Sequence, residues 1–345
     1  MRIPVISYIE NCIRKSINRK IQKVIDFSEK RKIKHTIIPA FKRSILGDLI
    51  KQSIKAKVEK LKANIDEKSG KIIDDSVEKI IESLTINENM EKFVTCEQKA
   101  DKSNFNNEIS SIKEKYKLPA DVYLPEVFYY HHGLKFLPDK IKNYLEAKDF
   151  LDCGAYIGDS TLVLREYSPN KIYSFEFSQE NIELFKRTMI LNNFSEGEYE
   201  LIPAIVSNRN TELLIKDYGG GAASVNKEFF NDFIGDESCP KVEYVERKVN
   251  SISIDKFVEK NNLNVGLIKA DVEGALLEVI QGAVNTIRVH RPVMTLGIYH
   301  NTTEFFEVKP YLEEILDNYI FEFKIMNFSP LFLSELTLIA YPKNL

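Results

Sequence analysis

The residues with the clearest capacity for chemistry begin at Phe150-Leu151-Asp152-Cys153-Gly154-Ala155-Tyr156-Ile157-Gly158-Asp159-Ser160-Thr161. An apolar run ends in an acid, a glycine-bearing turn follows, and a helical pattern begins. About two dozen residues on, Lys171-Ile172-Tyr173-Ser174-Phe175 ends in Glu176. A strand, glycine turn, helix, second strand and acid form a nucleoside-binding crevice at the end of a parallel sheet. Glycine lets the backbone come close to a ligand because no Cβ intervenes. The carboxylate of Glu176 is placed to accept both hydroxyls of a ribose.

The spacing also selects the nucleoside. A dinucleotide fingerprint is G-x-G-x-x-G around a pyrophosphate. Aligned on Gly154, this chain has Asp152 and Ile157 where the outer glycines would stand. What is present is D-x-G-x-x-x-G, and an acid at the strand end would repel a pyrophosphate. It suits a ligand with a sulfonium, an ammonium group and a ribose, which is S-adenosylmethionine. The competing readings are a dinucleotide and a glycine turn that only packs strand on helix.

A second cluster lies at Lys269-Ala270-Asp271-Val272-Glu273-Gly274, and a third at Gly297-Ile298-Tyr299-His300. Both close predicted strands, and open α/β sheets bind ligands outside the carboxyl ends of their strands. Asp271 is therefore expected to face the reactive end of the donor, with Glu273 and Lys269 close by. A local Lys269–Glu273 salt bridge is the plainer alternative. His300 could take a proton from an alcohol, with Asp271 orienting it or sharing the task, or it is a satisfied structural histidine. Asp271, Glu273 and His300 could also hold a divalent metal, a lesser reading, and no metal is expected. His131 and His132 either cover the donor pocket or lie on a surface loop. Gly219-Gly220-Gly221-Ala222-Ala223-Ser224 either shapes a substrate mouth or is a hairpin turn.

The elements that position these residues follow from periodicity. Strands are expected at Phe150–Cys153, Ile172–Phe177, Tyr199–Val206, Val265–Ala270 and Val293–Ile298. Helices are expected at Thr161–Tyr167, Glu180–Asn192, Leu276–His290 and near Val308–Leu316, with an irregular insert after the third strand. Two late strands, Ile320–Met326 and Leu336–Tyr341, suit an antiparallel edge hairpin. Alternation of this kind predicts a doubly wound α/β sheet. Residues 1–117 read instead as a helical accessory domain, with helical stretches at Ile45–Leu84 and Asn104–Tyr116. Pro119 and Pro125 punctuate a linker-like stretch, and residues 118–345 form the second domain.

The bulk properties exclude several classes. A chain of 345 residues, 43% hydrophobic, can fill a core. Cys12, Cys96, Cys153 and Cys239 lie far apart without a C-x-x-C pair, which fits a reducing compartment and no cysteine zinc cluster. No apolar run reaches the roughly 20 residues of a membrane span, and no charged-then-apolar leader pattern is seen. A cytoplasmic protein is expected. Through Arg43 there are 12 Lys and Arg against 3 Asp and Glu; with a net charge of −3 overall, the rest carries −12. Such a body does not look like a nucleic-acid binder. In the basic part, Ile6, Ile9, Ile13, Ile17, Ile21 and Val24 form one helical stripe. Such a helix packs on its own protein or a partner, or lies peripherally on an anionic inner-membrane surface.

Taken together, FLDCGAYIGDST, YSFEFSQENIELFKRTMILNN, LIPAIVSN, NSISIDKF and LIKADVEGALLEVIQGAVNTIRVHRPVMTLGIYH, with the closing hairpin, resemble the FkbM family of S-adenosylmethionine-dependent methyltransferases. The resemblance covers roughly Tyr129 to Tyr341. It implies a class I methyltransferase (Rossmann-like) fold. It also implies methyl transfer to a hydroxyl, commonly of surface-glycan sugars or secondary metabolites. By that match Asp152, Gly154 and Gly158 line the donor with their neighbours Ala155, Tyr156, Asp159 and Ser160. Glu176 holds the ribose beside Phe177, and Asp271 and Glu273 fall at the active-site rim. The family phrase has a proline after the second-strand acid; here Phe177 stands in its place. N- or carboxyl-methylation of a small molecule, or donor binding without turnover as a scaffold, are the alternatives. The acceptor is expected to be a small molecule or glycan, and self-association through the N-terminal helices is a further partner reading.

Overall fold

The chain is described by a computed structural model at residues 54–82, 94–217, 223–224, 245–328 and 335–344. The predicted basic helix within residues 1–43 and the Gly219–Gly221 run lie outside these residues.

The strand that carries the glycine turn is central. β1 (Asp149–Cys153) pairs in parallel with β2 (Lys171–Phe175) on one side and with β8 (Val265–Ala270) on the other. β3 (Tyr199–Ile202) extends the first side, and β9 (Val293–Gly297) the second. β11 (Leu336–Pro342) runs antiparallel to β9 and to the edge strand β10 (Tyr319–Ile325). The sheet order is β10-β11-β9-β8-β1-β2-β3. The expected doubly wound sheet and its antiparallel terminal hairpin are both present. The chain leaves β1 toward β2 and β3, then returns to β8 on the opposite side. The carboxyl ends of β1 and β8 therefore flank the switch point, where such sheets open a crevice.

All residues of β1, β8 and β9 are buried, as expected when helices cover both faces. Period two divides them. Phe150 and Leu267 pack on one face with Leu134, Ile141 and Ile172. Leu151, Cys153, Ile268 and Ala270 pack on the other with Ile254, Val279, Ile287 and Phe305, joined by Val265, which precedes a register shift between β1 and β8. On the first face lie α5 (Asp139–Leu145), α6 (Asp159–Leu164) and α7 (Gln179–Leu191). On the second lie α8 (Ile254–Asn261), α9 (Leu276–Gln281), α10 (Val284–His290) and α11 (Thr302–Ile315).

The described helices of the first third join these layers. α1 (Ile54–Leu61) and α2 (Glu67–Glu82) place Leu61, Ile73, Val77 and Ile80 in the same cluster as Leu312, Phe321 and Phe323. The Ser69 hydroxyl accepts from the Phe323 amide at 2.9 Å. α3 (Cys96–Lys115) starts at a capping box in which Thr95 and Gln98 satisfy each other's amides. It packs Phe105 and Ile112 on Leu162, Val163 and Phe185, beside the short α4 (Pro125–Phe128).

Three local expectations are corrected. The strand expected over Tyr199–Val206 is two strands: β3 ends at Ile202, Pro203 offers no amide to a ladder, and β4 (Ile205–Val206) joins another sheet. The described residues of the insert are not irregular. β5 (Glu212–Asp217), β6 (Ala223–Ser224) and β7 (Val245–Ile252) form that sheet, in the order β4-β7-β5-β6. The helix expected over Leu276–His290 breaks at Gly282. A Cβ there would lie 2.3 Å from the Ser207 carbonyl oxygen, and the Asp255 carboxylate accepts the Asn285 and Thr286 amides at the start of α10 (3.0 and 2.7 Å).

Candidate active site

The crevice at the switch point is a cavity of about 730 Å³. Its floor is the turn after β1. The Gly154 and Ala155 amides both donate to the Phe175 carbonyl (3.1 and 3.0 Å), and the Asp271 amide donates to the Cys153 carbonyl (3.0 Å). The ends of β1, β2 and β8 are thus tied together at the turn. Gly154 has φ +81°, and a Cβ on it would lie 1.9 Å from the Asp271 carbonyl oxygen. Only glycine fits, because the Asp271 backbone, not a ligand, occupies the space of a Cβ.

The residues expected to touch the donor separate into two groups. Gly154, Tyr156, Asp159, Ser160, Glu176 and Phe177 are on the cavity wall. Asp152, Ala155 and Gly158 are not among the wall residues. Asp152 is fully buried beneath the turn. Its carboxylate pairs with Lys269 Nζ at 3.1 Å and accepts the Thr161 hydroxyl at 3.0 Å. Lys269 Nζ also donates to the Gly154 carbonyl at 2.7 Å. Burial raises the Asp152 carboxyl against the opposing pull of Lys269. A buried carboxylate needs such a partner. Lys269 thereby anchors the turn rather than pairing with Glu273. Ala155 belongs to the core. Gly158 starts α6 at φ +85°, where a Cβ would meet Met189 and Phe185 at 2.8 and 3.0 Å; its role is to seat α6 on α7.

Glu176 stands at the end of β2. Its Oε1 accepts the Phe177 amide at 2.8 Å and the Ser178 amide at 2.7 Å. A proline at position 177 has no amide to give, so Phe177 supplies a bond that fixes the acid. Burial raises the Glu176 carboxyl, and the two amides oppose the rise. Replacing it with alanine (Glu176→Ala) is expected to weaken S-adenosylmethionine binding by about 10- to 100-fold, as the loss of charged hydrogen bonds implies. Calorimetric titration of the variant checks this. An unchanged affinity would show that the carboxylate does not hold the ribose.

Asp271 and Glu273 line the opposite wall with Tyr299. Gly297 makes room for Asp271, since a Cβ there would lie 3.0 Å from Asp271 Oδ1. The Tyr299 hydroxyl donates to Asp271 Oδ2 at 3.0 Å. Glu273 and Gly274 both take positive φ, +50° and +96°, so the chain turns sharply before α9. The Asn301 side chain fastens that turn by donating to the Gly274 carbonyl at 2.9 Å. His300 is set one step back from the wall, beside Asp271 and Glu273, with Nε2 3.3 and 3.7 Å from their carboxylates. Burial would lower its pKa, but the Glu304 carboxylate first and then Asp271 and Glu273 hold it up at about 10. The charged imidazolium therefore favours the folded state fully below pH 6.5, and that contribution is lost as pH rises through about 10. Among the described residues no group of three or more His, Cys, Asp and Glu is arranged to hold a metal ion.

Two wall residues escaped the sequence reading, and a third, His132, was read there only as one of two alternatives. Glu126 comes from α4 and Glu335 from just before β11. Burial, then each other's or Asp271's charge, pushes Glu126 up to about 9 and Glu335 up to about 7. His132 is not on a surface loop. It lines the cavity, its Nε2 is enclosed without a hydrogen-bond partner among the described residues, and burial lowers its pKa. It and its neighbours His131 and Gly133 take positive φ. His131 instead bonds the Tyr167 hydroxyl at 3.0 Å, away from the cavity.

A sheet of this order, with one antiparallel strand inside its edge, a glycine turn after β1 and a carboxylate closing β2, is the class I methyltransferase fold. Residues 152–323 match the methyltransferase FkbM domain, and the chain belongs to that family; its methyl donor is S-adenosylmethionine. Among solved structures, the methyltransferase FkbM of Methylobacillus flagellatus aligns with a TM-score of 0.50 at 15% identity over 87% of this chain. This chain spans 60% of that protein's length. More distant alignments include an rRNA methylase from Streptococcus thermophilus (12% identity, 65% of this chain and 99% of that one, TM-score 0.37). Another is precorrin-6y C5,15-methyltransferase from Geobacter metallireducens (12% identity, 59% and 84%, TM-score 0.32). No curated protein matches the chain in sequence.

Proposed function

We propose that the protein transfers the methyl group of S-adenosylmethionine to a hydroxyl, that of a sugar in a surface glycan or of a secondary metabolite. The observation that carries this reading is the Asp271 carboxylate. It stands on the cavity wall across the Gly154 turn from Glu176, and Tyr299 holds one of its oxygens. With Glu176 on the ribose, the methionyl end of the donor extends toward Asp271. The sulfonium is already activated, so the protein mainly aligns the acceptor and removes its proton. The acceptor oxygen forms the new bond to carbon as the carbon–sulfur bond breaks and its electron pair goes to sulfur. The hydroxyl proton passes to Asp271 and later to water.

The wall also bears on the class of acceptor. Glu126, Asp159, Glu273 and Glu335 line the cavity with Asp271, against Arg209 and an already paired Lys269. Glu126, raised to about 9, is neutral near pH 7, and the remaining acids disfavour phosphodiesters and carboxylates. Such a wall suits a neutral, polyhydroxylated acceptor and argues against nucleic acid and carboxyl methylation. The test is transfer of labelled methyl from S-adenosylmethionine to panels of sugars, alcohols, amines and carboxylic acids. Label in an ether product supports the reading; label confined to amines or carboxylates overturns it.

Among the described residues no helix is long and apolar enough to cross a membrane. A cytoplasmic placement, with residues 1–43 docking on the inner membrane surface, rests on the basic apolar stripe of the sequence. Vesicle pelleting of the whole chain and of a chain lacking residues 1–43 tests it: equal pelleting removes the docking role.

A further inference from the structure

Behind the cavity wall, Glu304 makes a set of contacts that packing alone does not require. It lies in the first turn of α11 and is 1% exposed. Its Oε1 accepts the Leu276 amide at 3.1 Å. Its Oε2 faces both the His300 amide and His300 Nδ1, at 3.2 and 3.0 Å. The other ring nitrogen, Nε2, faces Asp271 Oδ1 at 3.3 Å. The Tyr299 ring stacks on the imidazole at 4.1 Å, and its hydroxyl holds the second Asp271 oxygen.

We propose that Glu304 is a positioning residue for methyl transfer, acting through His300 to fix the Asp271 carboxylate against the acceptor. This rests on the reading of Asp271 as the group that takes the acceptor's proton. A neutral imidazole donates from one nitrogen only, whereas both nitrogens here meet carboxylate oxygens. A doubly protonated ring hydrogen-bonds Glu304 through Nδ1 and stands at ion-pair distance, without a hydrogen bond, from Asp271 Oδ1. The charged groups that face it are Glu304 from α11, Asp271 and Glu273 from the segment after β8, and Glu335 just before β11. Together they favour the cation, in keeping with its raised pKa. The ring then has no lone pair with which to act as a base. His300 remains a cation beside Asp271, and the proton goes to Asp271. This revises the expectation that His300 itself takes the proton.

The experiment is a histidine NMR titration of the whole chain, with and without S-adenosylmethionine, with His300→Ala used for assignment. In the wild type, the His300 ring signals are expected to stay flat across roughly pH 6–8.5, where an ordinary histidine titrates. In Glu304→Gln they are expected to titrate in that window. The turnover of the same variant should gain an alkaline limb, falling by about tenfold or more as the ring deprotonates, while donor affinity is unchanged. Glu304→Asp should restore a protonated ring at least in part. If Glu304→Gln does not fold, the wild type and Glu304→Asp decide. A wild-type ring that titrates near 6.5, or a Glu304→Gln variant with wild-type titration and pH profile, overturns the proposal. The titration needs no acceptor, so its failure is distinguishable from failure of the hydroxyl-acceptor reading.

Discussion

Replacing Asp271 with asparagine is expected to lower kcat by about 10²- to 10⁴-fold, the usual worth of a positioned acid or base. Donor affinity should stay unchanged. Asparagine keeps an oxygen for the Tyr299 hydroxyl and nearly the same volume in the space left by Gly297, so the wall should survive. What it removes is the capacity to take a proton. Glu273→Gln is the contrast. Its side chain is 50% exposed and lies farther from His300, at 3.7 Å, so its loss should cost clearly less. Labelled-methyl assays and calorimetry on the two variants check both arms. Asp271→Asn with turnover within about threefold of wild type would remove Asp271 from proton transfer.

The largest structural effect is expected at Gly154. An alanine there must accept φ +81° and a Cβ 1.9 Å from the Asp271 carbonyl oxygen, which is backbone and cannot rotate away. Left-handed strain costs about 1–3 kcal/mol, and overpacking costs a further ~1–3 kcal/mol. The ends of β1 and β8 must separate, which disturbs the Lys269 anchor on the Gly154 carbonyl at the same time. Gly154→Ala should therefore lower the midpoint of thermal unfolding by several degrees and abolish donor binding. Gly158→Ala meets the movable ends of Met189 and the ring of Phe185, at 2.8 and 3.0 Å. It should destabilise the fold while leaving measurable donor binding. Thermal unfolding followed by donor titration separates them; equal donor affinity in both variants would contradict the distinction.

Those two glycines show where the sequence was legible and where it was not. A short motif reports that glycines are needed but not what each avoids. Gly154 avoids a backbone carbonyl on the cavity floor, and Gly158 avoids side chains of the next helix. Both follow from contacts between segments distant in sequence. The strand-end acids Glu176 and Asp271 were readable because mostly apolar strands precede them, interrupted by Ser174 in β2 and Lys269 in β8. The partner of Asp152 was not readable, since Lys269 reaches it only through the β1–β8 pairing, and the nearer Glu273 offered a plausible local ion pair. Glu304 was hidden because an acid in a helix's first turn usually interacts with its own helix's free amides. Glu126 and Glu335 come to the wall from segments before β1 and after β10, so no local spacing could link them. The second sheet was missed because β7 reads Val245-Glu246-Arg247-Lys248-Val249-Asn250, where charge masks the apolar alternation. Helical texture in the first third was visible, but the packing of Ile73 and Val77 on Phe321 and Phe323 spans most of the chain.

The most direct test of the whole account is calorimetric titration of the purified chain and of Glu176→Ala with S-adenosylmethionine, S-adenosylhomocysteine and NAD. The account predicts saturable one-site binding of the two adenosyl ligands, in the low micromolar range or about tenfold to either side (roughly −6 to −9.5 kcal/mol). It predicts marked weakening in Glu176→Ala and no binding of NAD. Binding of NAD, or adenosyl-ligand binding that Glu176→Ala leaves untouched, would contradict it.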